Sequence, residues 1–242
     1  MDWPFLLDTF RELVQHLPLT LKLAFSSLAM GAVLGTMLAI MRLSRNTLVR
    51  TAGDAYLVLF RGTPLLIQIF LIYYGLGQFR KAFESVDLWW FFRDPYWCAI
   101  LALTLNTAAY ASEIFRGGVM AVPHQAVEAA RSCGMSGLLL VRRIVLPLAV
   151  RNALPAYSNE FLLMIKATSL ASIITVMEVT GTAAKMIAET FRTIEIFAVA
   201  GFIYLALNFL ATRAFMLVEW HLMRHQRDVT EHPAARTEVR YG

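Results

Sequence analysis

Three ionisable residues lie inside long apolar stretches of this chain: Glu113 in NTAAYASEIFRGG, and Glu160 with Lys166 in YSNEFLLMIKATSLAS. A charge at membrane depth is costly unless it is paired or hydrated, so such residues are candidates for function by default. On a helix, Asn106, Tyr110 and Glu113 fall at i, i+4 and i+7 and share one face, which should not look at lipid. Asn159 and Lys166 share another face, with Ser169 on its flank, and Glu160 points about 100° round from Asn159. The chemistry on offer is binding: carboxylates neutralise amino or guanidinium groups, and Asn106, Asn159 and Ser169 supply hydrogen bonds. Pairing with Glu113 is one way to satisfy Lys166. A second use of Glu160 and Lys166 is as the relay of a transporter driven by an ion gradient. Glu113 also lies near the end of its stretch, where a pair with Arg116 or Arg151 would anchor the segment that follows.

That segment, PHQAVEAARSCGMSGLLLVRRIVLP from Pro123 to Pro147, is too polar to cross a bilayer, because it carries Glu128, Arg131, Arg142 and Arg143. Its first part reads as a short amphipathic helix, with Val127, Ala130 and Met135 near one face and Gly134 placed to end it. A second short helix is predicted from about Ser136, capped by that hydroxyl and broken by Pro147.

The elements that must position these residues are transmembrane helices. Of the 242 residues 58% are hydrophobic and 16% charged, with a mean hydropathy of +0.57, which describes a chain solvated mostly by lipid. The net charge of +5 is scattered over span ends with no nucleic-acid motif, so no nucleic-acid partner is expected. We read an all-α, multi-pass integral membrane protein with about five spans, 19–41, 55–77, 96–115, 152–177 and 196–218. A segment 1–18 precedes them, with Trp3, Phe5 and Phe10 as interfacial anchors, a loop 116–151 joins spans three and four, and a tail 219–242 follows. Gly31 and Gly35 allow close helix packing within the subunit. In FRGTPLLIQ, Pro64 predicts a kink, and Arg61 and Gln68 either snorkel and bond a neighbouring helix respectively or contact a substrate directly. Thirteen basic residues fall on the side of the 116–151 loop and six on the other. The positive-inside rule therefore places that loop and the C-terminus in the cytoplasm and the N-terminus outside. His221 and His225 are spaced for a metal but lack a third ligand, so no metal site is assigned.

Glu128, Ala129, Ala130, Gly134, Ile144, Leu146 and Pro147 together resemble the EAA loop of permease subunits of bacterial ABC importers, with every fixed position matched. RGTP with Gln68, NTAAYASEIFRGG, LPAYSNE and KATSLAS are most similar to the permeases for histidine, lysine, arginine and ornithine, or for the opines octopine and nopaline. The resemblance implies a type I ABC importer permease fold in the bacterial inner membrane, with the loop as a coupling helix in a cleft of the ATPase, through Glu128, Ala129, Ala130 and Gly134. It further implies two ATPase subunits, a second permease that is an identical copy or a paralogue, and a periplasmic substrate-binding protein. The chain has no phosphate-cradling GxxxxGK[ST]. It is therefore read as a non-enzyme without a cofactor of its own, ATP and magnesium belonging to the partner. The rivals are an ion-coupled secondary transporter and a membrane scaffold that transports nothing.

Overall fold

A computed structural model describes residues 2–222, which are helical almost throughout and contain no strand. Residues 223–242, most of the expected tail and His225 among them, lie outside the described residues. Helix α1 (Trp3–Gln15) starts at Asp2, whose carboxylate accepts from the Phe5 N–H at 3.4 Å, and α2 (Leu17–Arg42) follows after His16. The 1–18 segment is therefore more than an interfacial anchor. Trp3 is exposed, but Leu13 is buried with Val179, Ala183 and Ile196, and Phe5 packs onto the same cluster. Arg192 closes this contact, 3.1 Å from the Asp2 carboxylate and with its guanidinium 4.3 Å from the centre of the Phe5 ring.

The expected second span is two helices. After α3 (Thr47–Gly62) the chain turns by 101° into α4 (Leu65–Phe70), which runs on through a wide π-helical turn to Gly75. Proline disfavours the helical region for its predecessor, and Thr63 is extended at φ −118, ψ 143. Pro64, extended as well, carries the break a second residue, so the expected kink becomes a corner. Short helices α5 (Arg80–Ser85) and α6 (Trp89–Phe92) occupy the aromatic loop and lead into α7 (Pro95–Met120).

The polar loop holds α8 (His124–Ser132), which ends as the sequence predicts. Gly134 adopts φ +82, its N–H bonds Arg131 O at 2.9 Å, and Met135 N–H bonds Ala130 O at 3.0 Å, a left-handed cap that favours glycine. The next expectation fails. Ser136 makes no side-chain cap to α9 (Gly137–Leu140), and Pro147 breaks nothing. A π-helical turn over Val141–Val145 carries the chain straight into α10 (Leu146–Ala167). The wider turn leaves room where the proline ring would meet the carbonyl one α-turn earlier. A 3₁₀ segment (Thr168–Ile174), α11 (Val179–Thr190) and α12 (Thr193–Leu222) complete the described fold. The α1–α2 run, α7 and α12 are each long and apolar enough to cross a membrane, and the two bent pairs bring the count to five if each is one span.

Helix α2 lies along α7 at a separation that its glycines set. A Cβ on Gly31 would stand 2.2 Å from Thr107 Cγ2, and one on Gly35 would stand 2.7 Å from Ala111 Cβ. In turn α10 lies against α7 at Gly118, where a Cβ would stand 2.6 Å from the Ala149 carbonyl oxygen. Without a hydrophobic drive between helices in lipid, such close contacts are a main source of association. The next-door Gly117 has open space at its Cβ position. Gly118→Ala is therefore expected to destabilise by about 1–3 kcal/mol, lowering the melting midpoint in detergent by several degrees. Gly117→Ala should leave the midpoint unchanged or raise it slightly, since alanine is the better helix former.

Candidate functional site

The corner between α3 and α4 leaves backbone carbonyls without helical partners at membrane depth, where each must be satisfied internally. Two amides do this. Gln68 Nε2 donates to Phe60 O (2.9 Å), Thr63 O (3.1 Å) and Thr63 Oγ1 (2.8 Å). Asn106 Nδ2, from α7, donates to Gln68 Oε1 (3.0 Å) and Phe60 O (3.3 Å). Gln68 is thus the helix-bonding group that the sequence suggests, and the Asn106 amide is engaged in the same plug. The corner in turn holds Arg61, which is exposed and stacks its guanidinium 5.2 Å from the centre of the Tyr110 ring.

Glu160 stands opposite, on α10. It is 8% exposed, and its Oε1 accepts from Thr107 Oγ1 at 2.7 Å, while Oε2 takes no hydrogen bond among the described residues. Arg61 is near enough to act on it electrostatically. Asn159 and Lys166 share an exposed face of α10, and Ser169 is turned onto the Lys166 carbonyl at 2.6 Å. Lys166 has no ion-pair partner among the described residues.

The suggested pairing of Lys166 with Glu113 does not occur. Helices α7 and α10 run antiparallel with Thr107 beside Glu160, so Glu113 and Lys166 lie six residues away in opposite directions, about 18 Å apart along the axis. Glu113 instead binds Arg42 of α2 through Oε2 and Arg116 through Oε1, and Arg42 reaches Asp54 of α3 at 2.7 Å. This four-residue network clamps α2, α3 and α7 just before the polar loop. Of the partners weighed from sequence, Arg116 is used and Arg151 is not.

On α8, Glu128 and Ala129 are exposed, with Glu128 3.1 Å from His124, while Ala130 is buried against the subunit itself. Sequence reasoning missed Glu178, which is fully buried. Its Oε1 accepts from Gly181 N–H at 2.9 Å, capping α11, and its Oε2 accepts from Tyr204 Oη at 2.7 Å and faces Thr20 Oγ1 at 3.5 Å. An acidic residue before an apolar helical run, three ahead of the N–H it caps, was the available signal.

Residues 31–222, which contain the corner, Glu160 and α8, match the family described as "binding-protein-dependent transport system inner membrane component". The chain belongs to that family. Among its permeases, the octopine transport system permease of Rhizobium meliloti is 55% identical over 92% of this chain and 91% of its own length. The histidine/lysine/arginine/ornithine transport system permease of Salmonella typhimurium is 38% identical over 92% and 95% respectively. An amino acid ABC transporter crystallised with histidines superposes with a TM-score of 0.81 at 31% identity, covering 91% of this chain and 99% of that one. Inward-facing structures of a methionine ABC transporter share the fold, at 17% identity and a TM-score of 0.65. The chain is thus a permease subunit of the ABC importer class, with the type I permease fold, and the ion-coupled and scaffold readings are set aside.

The Glu113 network predicts a difference between two carboxamide substitutions. Glu113→Gln leaves Arg42 and Arg116 short of a counter-charge and is expected to cost about 1.5–3 kcal/mol, the range for hydrogen bonds to charged groups. Glu84→Gln removes only the exposed i, i+4 pair with Arg80 and should cost no more than about 0.5 kcal/mol. Melting midpoints of the two variants in the same detergent measure the difference.

Proposed function

We propose that this permease subunit forms half of a path by which basic amino acids, or opines built from them, cross the bacterial inner membrane. The observation that carries the reading is Glu160. It is a buried carboxylate in the second half of α10, held by one hydroxyl, with its second oxygen unengaged among the described residues and a polar face of the same helix beside it. A carboxylate so placed is suited to an incoming ammonium or guanidinium group. Arg61 over Tyr110 supplies the opposite charge nearby, which suits a ligand that also carries a carboxylate. Asn159 and Lys166 face away from the bundle core, and such a face belongs against the path or a second permease, not against lipid. The relatives that carry octopine and basic amino acids support the same substrate class.

In this reading the N-terminus lies outside and the 116–151 loop inside. Two ATPase subunits receive α8, with Glu128 and Ala129 as the outward contact and the Gly134 cap fixing its end. A second permease encloses the path, and a periplasmic binding protein delivers the substrate. ATP and magnesium belong to the ATPase subunits. Closure of the ATPases moves α8, and the uninterrupted run from Gly137 to Ala167 carries that motion to Glu160.

Glu160→Gln keeps the shape and the hydrogen bond from Thr107 but removes the charge. Uptake of radiolabelled arginine or octopine by cells expressing the importer should fall at least tenfold, about 1.4 kcal/mol, with membrane abundance and ATPase co-purification unchanged. Undiminished uptake at normal abundance would refute the role of Glu160.

A further inference from the structure

We propose that this permease holds one anionic phospholipid of the cytoplasmic leaflet, with an acyl chain in a cleft between α2, α7 and α10 and the headgroup at Arg142 and Arg143. The cleft has a volume of about 540 Å³ and is walled by Ile40 and Leu43, by Phe115 and Val119, and by Val150 and Leu154. It exists because Ala39, Ala149 and Ala153, which also line it, are too short to fill it. Its only two hydroxyls are already spent: Thr36 Oγ1 donates to Ala32 O at 2.7 Å, and Tyr157 Oη donates to Leu28 O at 3.0 Å. Such a cleft offers nothing to a polar substrate and a continuous surface to a hydrocarbon chain.

Its length and direction fit a lipid. From Val141 at the mouth to Tyr157 the helical rise is about 24 Å, somewhat more than the roughly 15 Å of one leaflet's hydrocarbon. The cleft therefore runs from Tyr157, almost one turn short of Glu160, toward the headgroups. Val150 and Asn159 are nine residues apart, so at about 100° per residue they point to opposite sides of α10. The side of α10 that carries Asn159 and Lys166 cannot look at lipid, and the cleft opens on the other.

The charge on the turn that begins the cleft fits an anion. Arg142 and Arg143 are exposed on the π-helical turn whose Val141 and Val145 line the cleft. Between Glu128 and Glu160 the sequence has no acidic residue and four arginines, Arg131, Arg142, Arg143 and Arg151. Arg42 and Arg116, close by, are neutralised by Asp54 and Glu113, whereas Arg142 and Arg143 have no ion pair among the described residues. Guanidinium groups bind phosphodiesters through paired hydrogen bonds, and two of them favour a lipid with net negative charge over a zwitterionic one.

The test uses the protein purified with the subunits it retains, titrated with phosphatidylglycerol or phosphatidylcholine and examined by native mass spectrometry for lipid held on the permease subunit. Phosphatidylglycerol is expected to bind on the order of tenfold more tightly. The double variant Arg142→Gln with Arg143→Gln, both at exposed positions, should abolish that preference without changing the melting midpoint. Inorganic phosphate at millimolar concentration should fail to displace the lipid. Equal retention of the two lipids, a preference that survives the double substitution, or displacement by phosphate would overturn the proposal. So would a disulfide between two permease subunits through Val150→Cys, which would show that protein covers the cleft.

Discussion

The spacing of α2 from α7 is the constraint on which the site depends. Gly31 brings the two backbones so close that the methyl group of Thr107 fills the room a Cβ would need. That methyl contact faces α2, and the hydroxyl of the same residue faces Glu160 on α10. Eleven residues along α7, Gly118 receives the backbone of Ala149, which precedes Glu160 by the same eleven. Antiparallel helices in register at two points eleven residues apart cannot slide, so the carboxylate is fixed opposite its hydroxyl by packing rather than by a partner charge. Ser27, Thr104 and Ser112, buried on α2 and α7 with no hydrogen-bond partner for their hydroxyls among the described residues, serve as further small side chains.

The ionisable and amide groups placed among the apolar helices are met in different ways. Glu178 receives a helix N-terminus and a phenol. Glu113 receives two arginines. Gln68 and Asn106 cover the carbonyls that the Thr63–Pro64 corner uncovers. Apart from the buried hydroxyls, the groups with unmet demand among the described residues include Glu160 with one oxygen unengaged, Arg61 against the Tyr110 ring, and Asn159 with Lys166 on an exposed face. The residual demand for partners is concentrated on one side of α10 and at the corner facing it.

Much of this was legible because the signals were local. The end of α8 could be read from Gly134, since the left-handed cap is a property of a few consecutive residues. A close helix approach to α2 could be read from Gly31 and Gly35, though not that α7 makes it, and the separation of Glu160 from the Asn159 face follows from helical geometry alone. What escaped was non-local or depended on a backbone irregularity. Arg42 and Glu113 are far apart in sequence, and nothing near either names the other. Pairing Lys166 with Glu113 fails because helix direction and register, not charge, decide which residues meet. Pro64 and Pro147 look alike as helix breakers, yet one makes a corner of 101° and the other none. The first follows an extended Thr63, and the second follows a π-helical turn that already accommodates it.

That second proline matters for how force reaches the site. A break at Pro147 would have put a hinge between the polar loop and α10, and motion of α8 would be dissipated by bending there. The run from Gly137 to Ala167 instead stays helical throughout, with Pro155 inside α10, and spans about 45 Å by its helical rise, with Glu160 roughly three-quarters of the way along. On the proposed function, a small rotation near α9 would move the carboxylate relative to the Thr63–Pro64 corner, which belongs to a different helix pair. The seam at Gly118 lies between the two ends, where α10 meets α7 at backbone contact, so the register that fixes Glu160 at rest is set at the contact any such motion would load first.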